Sequence, residues 1–245
     1  MTTHLVAMGG GGFSMNEGPS ALDRYVLDLA GRPHPRVCFI PTASGDSAGY
    51  VDRFLRAFGQ LDCEAGELSL FQRTGVDLAD MLAEQDVIYV GGGSTANLLA
   101  LWRLHGLDVA LAARAAAGDL VVCGLSAGAL CWFEGGITDS FGPELRPLAD
   151  GLGWAAGSVC PHYDGEAGRR PAYHAAIEAG VLAPGYALDD GAAIHLVDGR
   201  VHGFVAERAE AQAYRVEPGV GGVDGVDGVD GVDGVRESAL PMVRL

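Results

Sequence analysis

The 245-residue chain contains no lysine. Its 16 basic residues are all arginine, against 32 acidic residues, for a formal net charge of -16. A field of that sign repels phosphate backbones and anionic lipid, so neither nucleic acid nor a membrane surface is an expected partner. No apolar run approaches the roughly 18–20 residues that span a bilayer. The amino terminus, MTTHLVAMGGGG, lacks the basic cluster and long apolar stretch of a secretory signal. Cysteine is scarce: five residues, an odd number, with no C-x-x-C pair. That fits neither a disulfide framework nor a zinc site, and points to a reducing cytoplasm as the expected location. Cys38 and Cys123 lie in apolar runs and read as core residues. What the chain does have is glycine, 38 copies, and a hydrophobic content of 49% beside 20% charged residues. Such a balance suits a globular protein with a sizeable core.

Through the first half, short β-rich runs alternate with helical patterns. LVAM (5–8) leads to a glycine loop and a helix from about Pro19 to Ala30. RVCFIP (36–41) precedes an amphipathic segment in which Tyr50, Phe54, Leu55 and Phe58 recur at helical spacing. A strand is expected near Leu68–Phe71, then DVIYVGGG (86–93), helices over 94–117, and DLVVCG (119–124). The alternation predicts an α/β three-layer sandwich with a mostly parallel sheet. Ligands bind such sheets at the carboxyl ends of the strands, so GGGGF, PTASGDS, GGGST and GLSAG are expected to share one rim. ALDDGAAIHLVDG and RVHGFVAE read as strands and turns completing one catalytic domain over 1–217. Residues 218–245 read as a Gly/Asp-rich repeat and tail. Four VDG triplets within 219–235 match neither collagen nor the calcium-binding nonapeptide repeat, and read as a flexible acidic excursion in a tail that tolerates deletion.

Chemistry concentrates in Gly124-Leu125-Ser126-Ala127-Gly128, which satisfies G-x-S-x-G between a strand-like run and a helix-compatible one. The glycines allow a sharp strand-to-helix turn that exposes the Ser126 hydroxyl and aims the Ala127 amide at an oxyanion. A second donor is expected from the GGGST loop, through the amide of Gly92 or Gly93. Neither glycine cluster spells a P-loop or a dinucleotide fingerprint. Among seven histidines, His162 stands out in VCPHYD, just past a predicted strand, where a proline stiffens the start of a loop. His4, His34, His105 and His174 read as terminus, loop or helix positions. The carboxylate that orients the base is open among Asp139, Asp164, Asp189 and Asp190. A different chain order, Ser126, Asp190 and then His195 or His202, would describe an α/β-hydrolase esterase. A non-catalytic binding protein on the same fold is the other alternative.

Four stretches together, GGGGF (9–13), YVGGGSTANLL (89–99), GLSAGA (124–129) and CPHYDGE (160–166), resemble peptidase E, the aspartyl dipeptidases of serine peptidase family S51. The resemblance covers about residues 4–216. It implies a fold similar to class I glutamine amidotransferases, with serine as nucleophile. It further implies Ser126 as nucleophile, His162 as base and the acid in ALDDG, where relatives carry glutamate at the position of Asp190. The implied activity is hydrolysis of dipeptides or short peptides with an amino-terminal aspartate, with no cofactor and no metal. Relatives also suggest a homodimer. Recognition of the aspartyl side chain calls for a cation, for which Arg169 and Arg170 are the candidates. Asp139 is the nearest match to a further acidic residue that matters in some members.

Overall fold

A computed structural model describes residues 2–72, 75, 77–219 and 234–245. In chain order the elements are β1 (Thr3–Met8), α1 (Ala21–Leu29), β2 (Arg36–Ile40), α2 (Ala48–Phe58), β3 (Glu64–Glu67), α3 (Leu78–Ala83), β4 (Val87–Val90), α4 (Thr95–His105), α5 (Leu107–Ala116), β5 (Leu120–Leu125) and the single turn α6 (Ala127–Leu130). Beyond them come β6 (Phe133–Thr138), β7 (Arg146–Leu148), β8 (Ala155–Cys160), α7 (Arg169–Glu178), β9 (Gly185–Leu188), β10 (Ala192–Val197), β11 (Arg200–Ala206), β12 (Ala213–Pro218), β13 (Val235–Ala239) and β14 (Val243–Arg244).

The strands form two sheets. The larger runs β14-β11-β10-β1-β5-β4-β2-β3, and its β1, β5, β4, β2 and β3 are all parallel. Side-chain alternation along these strands builds two cores. Val6, Met8, Phe39 and Tyr89 face α1 and α2, whereas Leu5, Ala7, Ile40 and Ile88 face α4, α5 and α6. Burial on both faces explains why these strands are continuous apolar runs in sequence. Helices on both faces of a mostly parallel sheet match the expected architecture.

The second sheet, β13-β12-β9-β8-β6-β7, mixes parallel and antiparallel pairs and carries α7. Its inner residues Phe133, Val159 and Leu188 join the same core as α4 and α5. The chain crosses between the sheets at residues 189–191, from β9 to β10. No helix among the described residues is long and apolar enough to cross a membrane.

Two expectations need correction. The strand expected near Leu68–Phe71 lies earlier, at Glu64–Glu67. It pairs on one side only, with β2, and its EAGE sequence is mostly exposed, so it carries no apolar signal. Leu68 and Leu70 are buried from the following loop instead. The second concerns the tail. Most of the VDG run lies outside the described residues, but the chain on either side of it forms an antiparallel pair, with Pro218 opposite Val235. After β13, β14 adds to β11 of the larger sheet. Tolerance to deletion therefore does not extend to residues 235–245.

Ending the chain at Gly234 removes the buried Val235 and both terminal strands. Burial of one valine contributes about 1.5–3 kcal/mol, and for a chain of this size such a loss lowers Tm by about 3–12 °C. Thermal unfolding of the truncated protein is expected to show that drop; an unchanged Tm would mean the terminal strands contribute nothing.

Candidate active site

Ser126 sits at the carboxyl end of β5 with φ 55° and ψ -113°, a conformation that L residues adopt only when their surroundings hold it, at about 1–3 kcal/mol. A Cβ on Gly124 would lie 2.3 Å from the carbonyl oxygen of Gly128, and one on Gly128 would lie 2.3 Å from that of Val90. Both flanking glycines of the G-x-S-x-G pattern are thus required by backbone approach, not by positive φ. The Ser126 amide donates to the Met8 carbonyl (3.1 Å), tying the turn to the end of β1.

His162 follows β8 and also has a left-handed backbone, φ 55°. Its amide donates to the carbonyl of Gly9 (3.2 Å). Consecutive carbonyls at the end of β1 therefore anchor Ser126 and His162, which brings the two residues to one rim from different sheets.

His162 Nδ1 lies 2.6 Å from Asp190 Oδ1. Three aspartates crowd this corner, and the geometry separates them. Asp189 turns away and accepts the amide of Gln212 (2.9 Å). Burial, with the Asp164 charge nearby, raises its pKa to about 6. Asp190 is held below its ordinary value, chiefly by the hydrogen bond from His162, against the opposing effect of burial. Asp164 accepts the backbone amide of Asp190 on one oxygen (2.7 Å) and Arg208 Nη2 on the other (2.7 Å). It clamps the Asp190 backbone and makes no hydrogen bond to His162. An ionised Asp190 only accepts, so the proton of the neutral imidazole belongs on Nδ1 and Nε2 is left as the acceptor. The stability contributed by the depressed Asp190 is present above an ordinary aspartate pKa and is lost as pH falls through its folded value.

This contact exists because the loop after β1 has no side chains. A Cβ on Gly10 would lie 2.0 Å from Asp190 Oδ1 and 2.9 Å from His162 Nδ1, and one on Gly9 would lie 2.3 Å from the Leu188 carbonyl. On the other side of the carboxylate, a Cβ on Gly165 would lie 2.3 Å from Asp190 Oδ2. GGGGF reads in sequence only as a rim loop; its close approach to His162 and Asp190, about 150 and 180 residues downstream, leaves no local signal.

The remaining expected residues fall as follows. Ala127 is buried, and its amide has no hydrogen-bond acceptor among the described residues. A Cβ on Gly92 would lie 3.4 Å from Ser126 Cβ, so the GGGST loop borders Ser126. The Gly92 amide donates to Tyr50 OH (3.3 Å), while that of Gly93 has no acceptor among the described residues. Asp139 is exposed beside Ser140, whose hydroxyl accepts the Ala96 amide at the start of α4. Arg169 is 3% exposed and bonds Glu166 (2.7 Å) and the Ile137 carbonyl (2.8 Å), so it is closed to substrate. Arg170 pairs with Glu237 (3.3 Å). Arg53 and Arg56 of α2, which sequence reading passed over, have no carboxylate within 4.0 Å among the described residues and line an open cavity of about 330 Å³ with Ser14, Asn16 and Glu17.

The esterase order fails on geometry. His195 is 1% exposed on β10, bonded to His4 (2.9 Å) and Tyr25 (2.8 Å), and burial followed by the His4 charge lowers its pKa to about 4. His202 packs against His195 at 4.9 Å. Neither stands beside Asp190, whose partner is His162. No group of three or more His, Cys, Asp or Glu among the described residues is placed to hold a metal ion.

The sequence profile of peptidase family S51 matches residues 5–204. The uncharacterized peptidase YgaJ of Bacillus subtilis (strain 168) is 53% identical over 212 residues, 86% of this chain and 91% of that protein. The uncharacterized peptidase PM1590 of Pasteurella multocida (strain Pm70) is 36% identical over 107 residues, 42% of this chain and 51% of that one. Two solved structures share the fold. A candidate peptidase E protein from Listeria monocytogenes EGD-e has a TM-score of 0.61 at 22% identity, covering 82% of this chain and 97% of that chain. A peptidase from an acI-B1 Actinobacterium has a TM-score of 0.62 at 17% identity, covering 87% and 89%.

Gly10→Ala is expected to force Asp190 and His162 apart while leaving the sheets intact. Displacement of about 1 Å at a catalytic group costs on the order of 10²-fold in rate. Peptidase assays on the variant are expected to show that loss with near-native circular dichroism; full activity would mean the corner tolerates a methyl group.

Proposed function

The chain belongs to peptidase family S51, and on that premise we propose that it is a serine peptidase releasing amino-terminal aspartate from dipeptides and short peptides through an acyl-enzyme. The observation that carries this reading is the 2.6 Å contact between His162 Nδ1 and Asp190, with Ser126 strained into an elbow on the same rim.

The Ser126 hydroxyl makes no hydrogen bond among the described residues. The reading has its contact with His162 Nε2 close when substrate is bound, as catalytic hydrogen bonds commonly tighten in the Michaelis complex. Ser126 Oγ then attacks the scissile carbonyl as Nε2 takes its proton. Asp190 stabilises the imidazolium without being protonated itself. The amide of Ala127, with that of Gly92 or Gly93, meets the oxyanion. His162 returns the proton to the departing amine, and a water activated by the same Nε2 hydrolyses the ester.

For the substrate's own charges, Arg169 and Arg170 are engaged by Glu166 and Glu237. We assign the carboxylate of the aspartyl side chain to Arg53. It lies one helical turn from Tyr50, on the same face of α2, and the Tyr50 hydroxyl accepts the Gly92 amide beside the nucleophile. Asp139 is the anion assigned to the substrate's α-ammonium.

Turnover of Asp-Leu, Glu-Leu, Asn-Leu and Ala-Leu by the wild type, Ser126→Ala and Arg53→Ala tests both parts. The wild type is expected to prefer Asp-Leu, and Ser126→Ala to retain no more than about 10³–10⁴-fold over water. Arg53→Ala is expected to raise KM for Asp-Leu about 10–100-fold, the equivalent of a charged hydrogen bond, with little change on Ala-Leu. Normal turnover by Ser126→Ala would overturn the mechanism. An unchanged preference in Arg53→Ala would overturn only the specificity assignment.

A further inference from the structure

A second cluster of ionisable groups surrounds Glu237 on β13, beyond the residues matched by the family profile. One carboxylate oxygen accepts the Tyr163 hydroxyl and lies 2.9 Å from His174 Nε2; the other lies 3.3 Å from Arg170 Nη2. The Arg170 guanidinium stands over the rings of Tyr163 (4.7 Å) and Tyr214 (5.5 Å). Burial, with Glu237 adding to it, raises the Tyr163 phenol far above its ordinary range, so it stays protonated and donates.

Tyr163 is the residue after the base. It is 3% exposed and fixed at both ends: its amide donates to the Leu188 carbonyl (3.1 Å), two residues before Asp190, and its hydroxyl ends on Glu237 with His174 Nε2 also 2.9 Å away. His162 itself holds φ 55°, and a non-glycine residue stays in that region only when its neighbours over-determine it. On one side the Gly9 carbonyl supplies that restraint. On the other, the amides of Tyr163 and Glu166 and the Tyr163 side chain supply it, and the side chain is anchored on the last strand but one.

We propose that Glu237 is a positioning residue for His162: through the Tyr163 hydroxyl it holds the strained turn that presents the imidazole to Asp190. The terminal hairpin then serves the catalytic corner as well as the second sheet. Its effect on turnover rests on the proposed peptidase mechanism, whereas its effect on the imidazole does not.

The full chain is compared with Tyr163→Phe, Glu237→Gln and Glu237→Ala. Tyr163→Phe removes the bond without altering charge, and Glu237→Gln keeps an acceptor for the phenol. Three quantities are read: the pH-titration midpoint of the His162 imidazole Cε1–H resonance, assigned through its loss in His162→Gln; kcat and KM on Asp-Leu; and Tm. In Tyr163→Phe and Glu237→Ala the midpoint is expected to fall by about 0.5–1 unit as the hold of Asp190 loosens. In both, kcat is expected to drop by about 10²-fold with KM within about threefold, and Glu237→Gln is expected to recover most of both. A folded Tyr163→Phe with the wild-type midpoint would overturn the proposal even if Glu237→Ala fails to fold. So would a midpoint that moves equally in Glu237→Gln and Glu237→Ala while Tyr163→Phe is normal, because that pattern reports charge alone. If the wild type turns over no peptide, the proposed function fails and the positioning role is still decided by the difference in the resonance between the wild type and the variants.

Discussion

The hydrogen bond between His162 and Asp190 holds the corner where the two sheets meet. Asp190 occupies the crossover from β9 in the second sheet to β10 in the first, and His162 leaves β8 of the second sheet. β8 and β9 are parallel neighbours, so the 2.6 Å contact joins the two loops at their carboxyl ends. Its supports are Asp164 on the Asp190 amide, Arg208 on Asp164, and the Gly9 carbonyl on the His162 amide, while the Met8 carbonyl holds Ser126 at the same rim. The strand order has a chemical consequence. β1 lies between β10 and β5, and residues at its end meet Ser126, His162 and Asp190 through Met8, Gly9 and Gly10.

Close approach at that place excludes side chains, and the protein meets the exclusion with glycine at 9, 10, 124, 128 and 165. Two of the six non-glycine residues with positive φ, Ser126 and His162, lie at this rim. Each strained turn costs about 1–3 kcal/mol. Backbone hydrogen bonds to β1 and the packing of the neighbouring residues offset that cost. The contrast between the adjacent aspartates follows from the same geometry. Asp190 accepts a hydrogen bond from His162 and is held below its ordinary value, while Asp189, buried near Asp164, is pushed upward.

Much of this was legible in the sequence where the signal is local. The elbow is a five-residue pattern with a strand before it and a helical turn after it. His162 is distinguished by proline and a loop at a strand end. The parallel strands announce themselves because both of their faces are buried. The rest depends on contacts that no window contains. Asp189, Asp190 and Asp164 are alike until the crossover turns one toward the imidazole. The second sheet hides because its strands are short and half-polar, as in β7 and β12, and β3 hides because an exposed edge has no apolar period. Arg169, a candidate cation for substrate from its sequence position, opens α7 and is sealed against Glu166 and a carbonyl. The anchoring role of the terminal hairpin depends on a bond between positions 74 residues apart.

The account rests on a single relay, and covalent capture of its nucleophile tests it most directly. A small organophosphonylating reagent, followed by peptide mapping, is expected to place one adduct on Ser126 in the wild type. Asp190→Asn is expected to label slowly, and His162→Gln not at all, both with their folds intact. An adduct on another residue, or labelling of His162→Gln at the wild-type rate, would contradict the account.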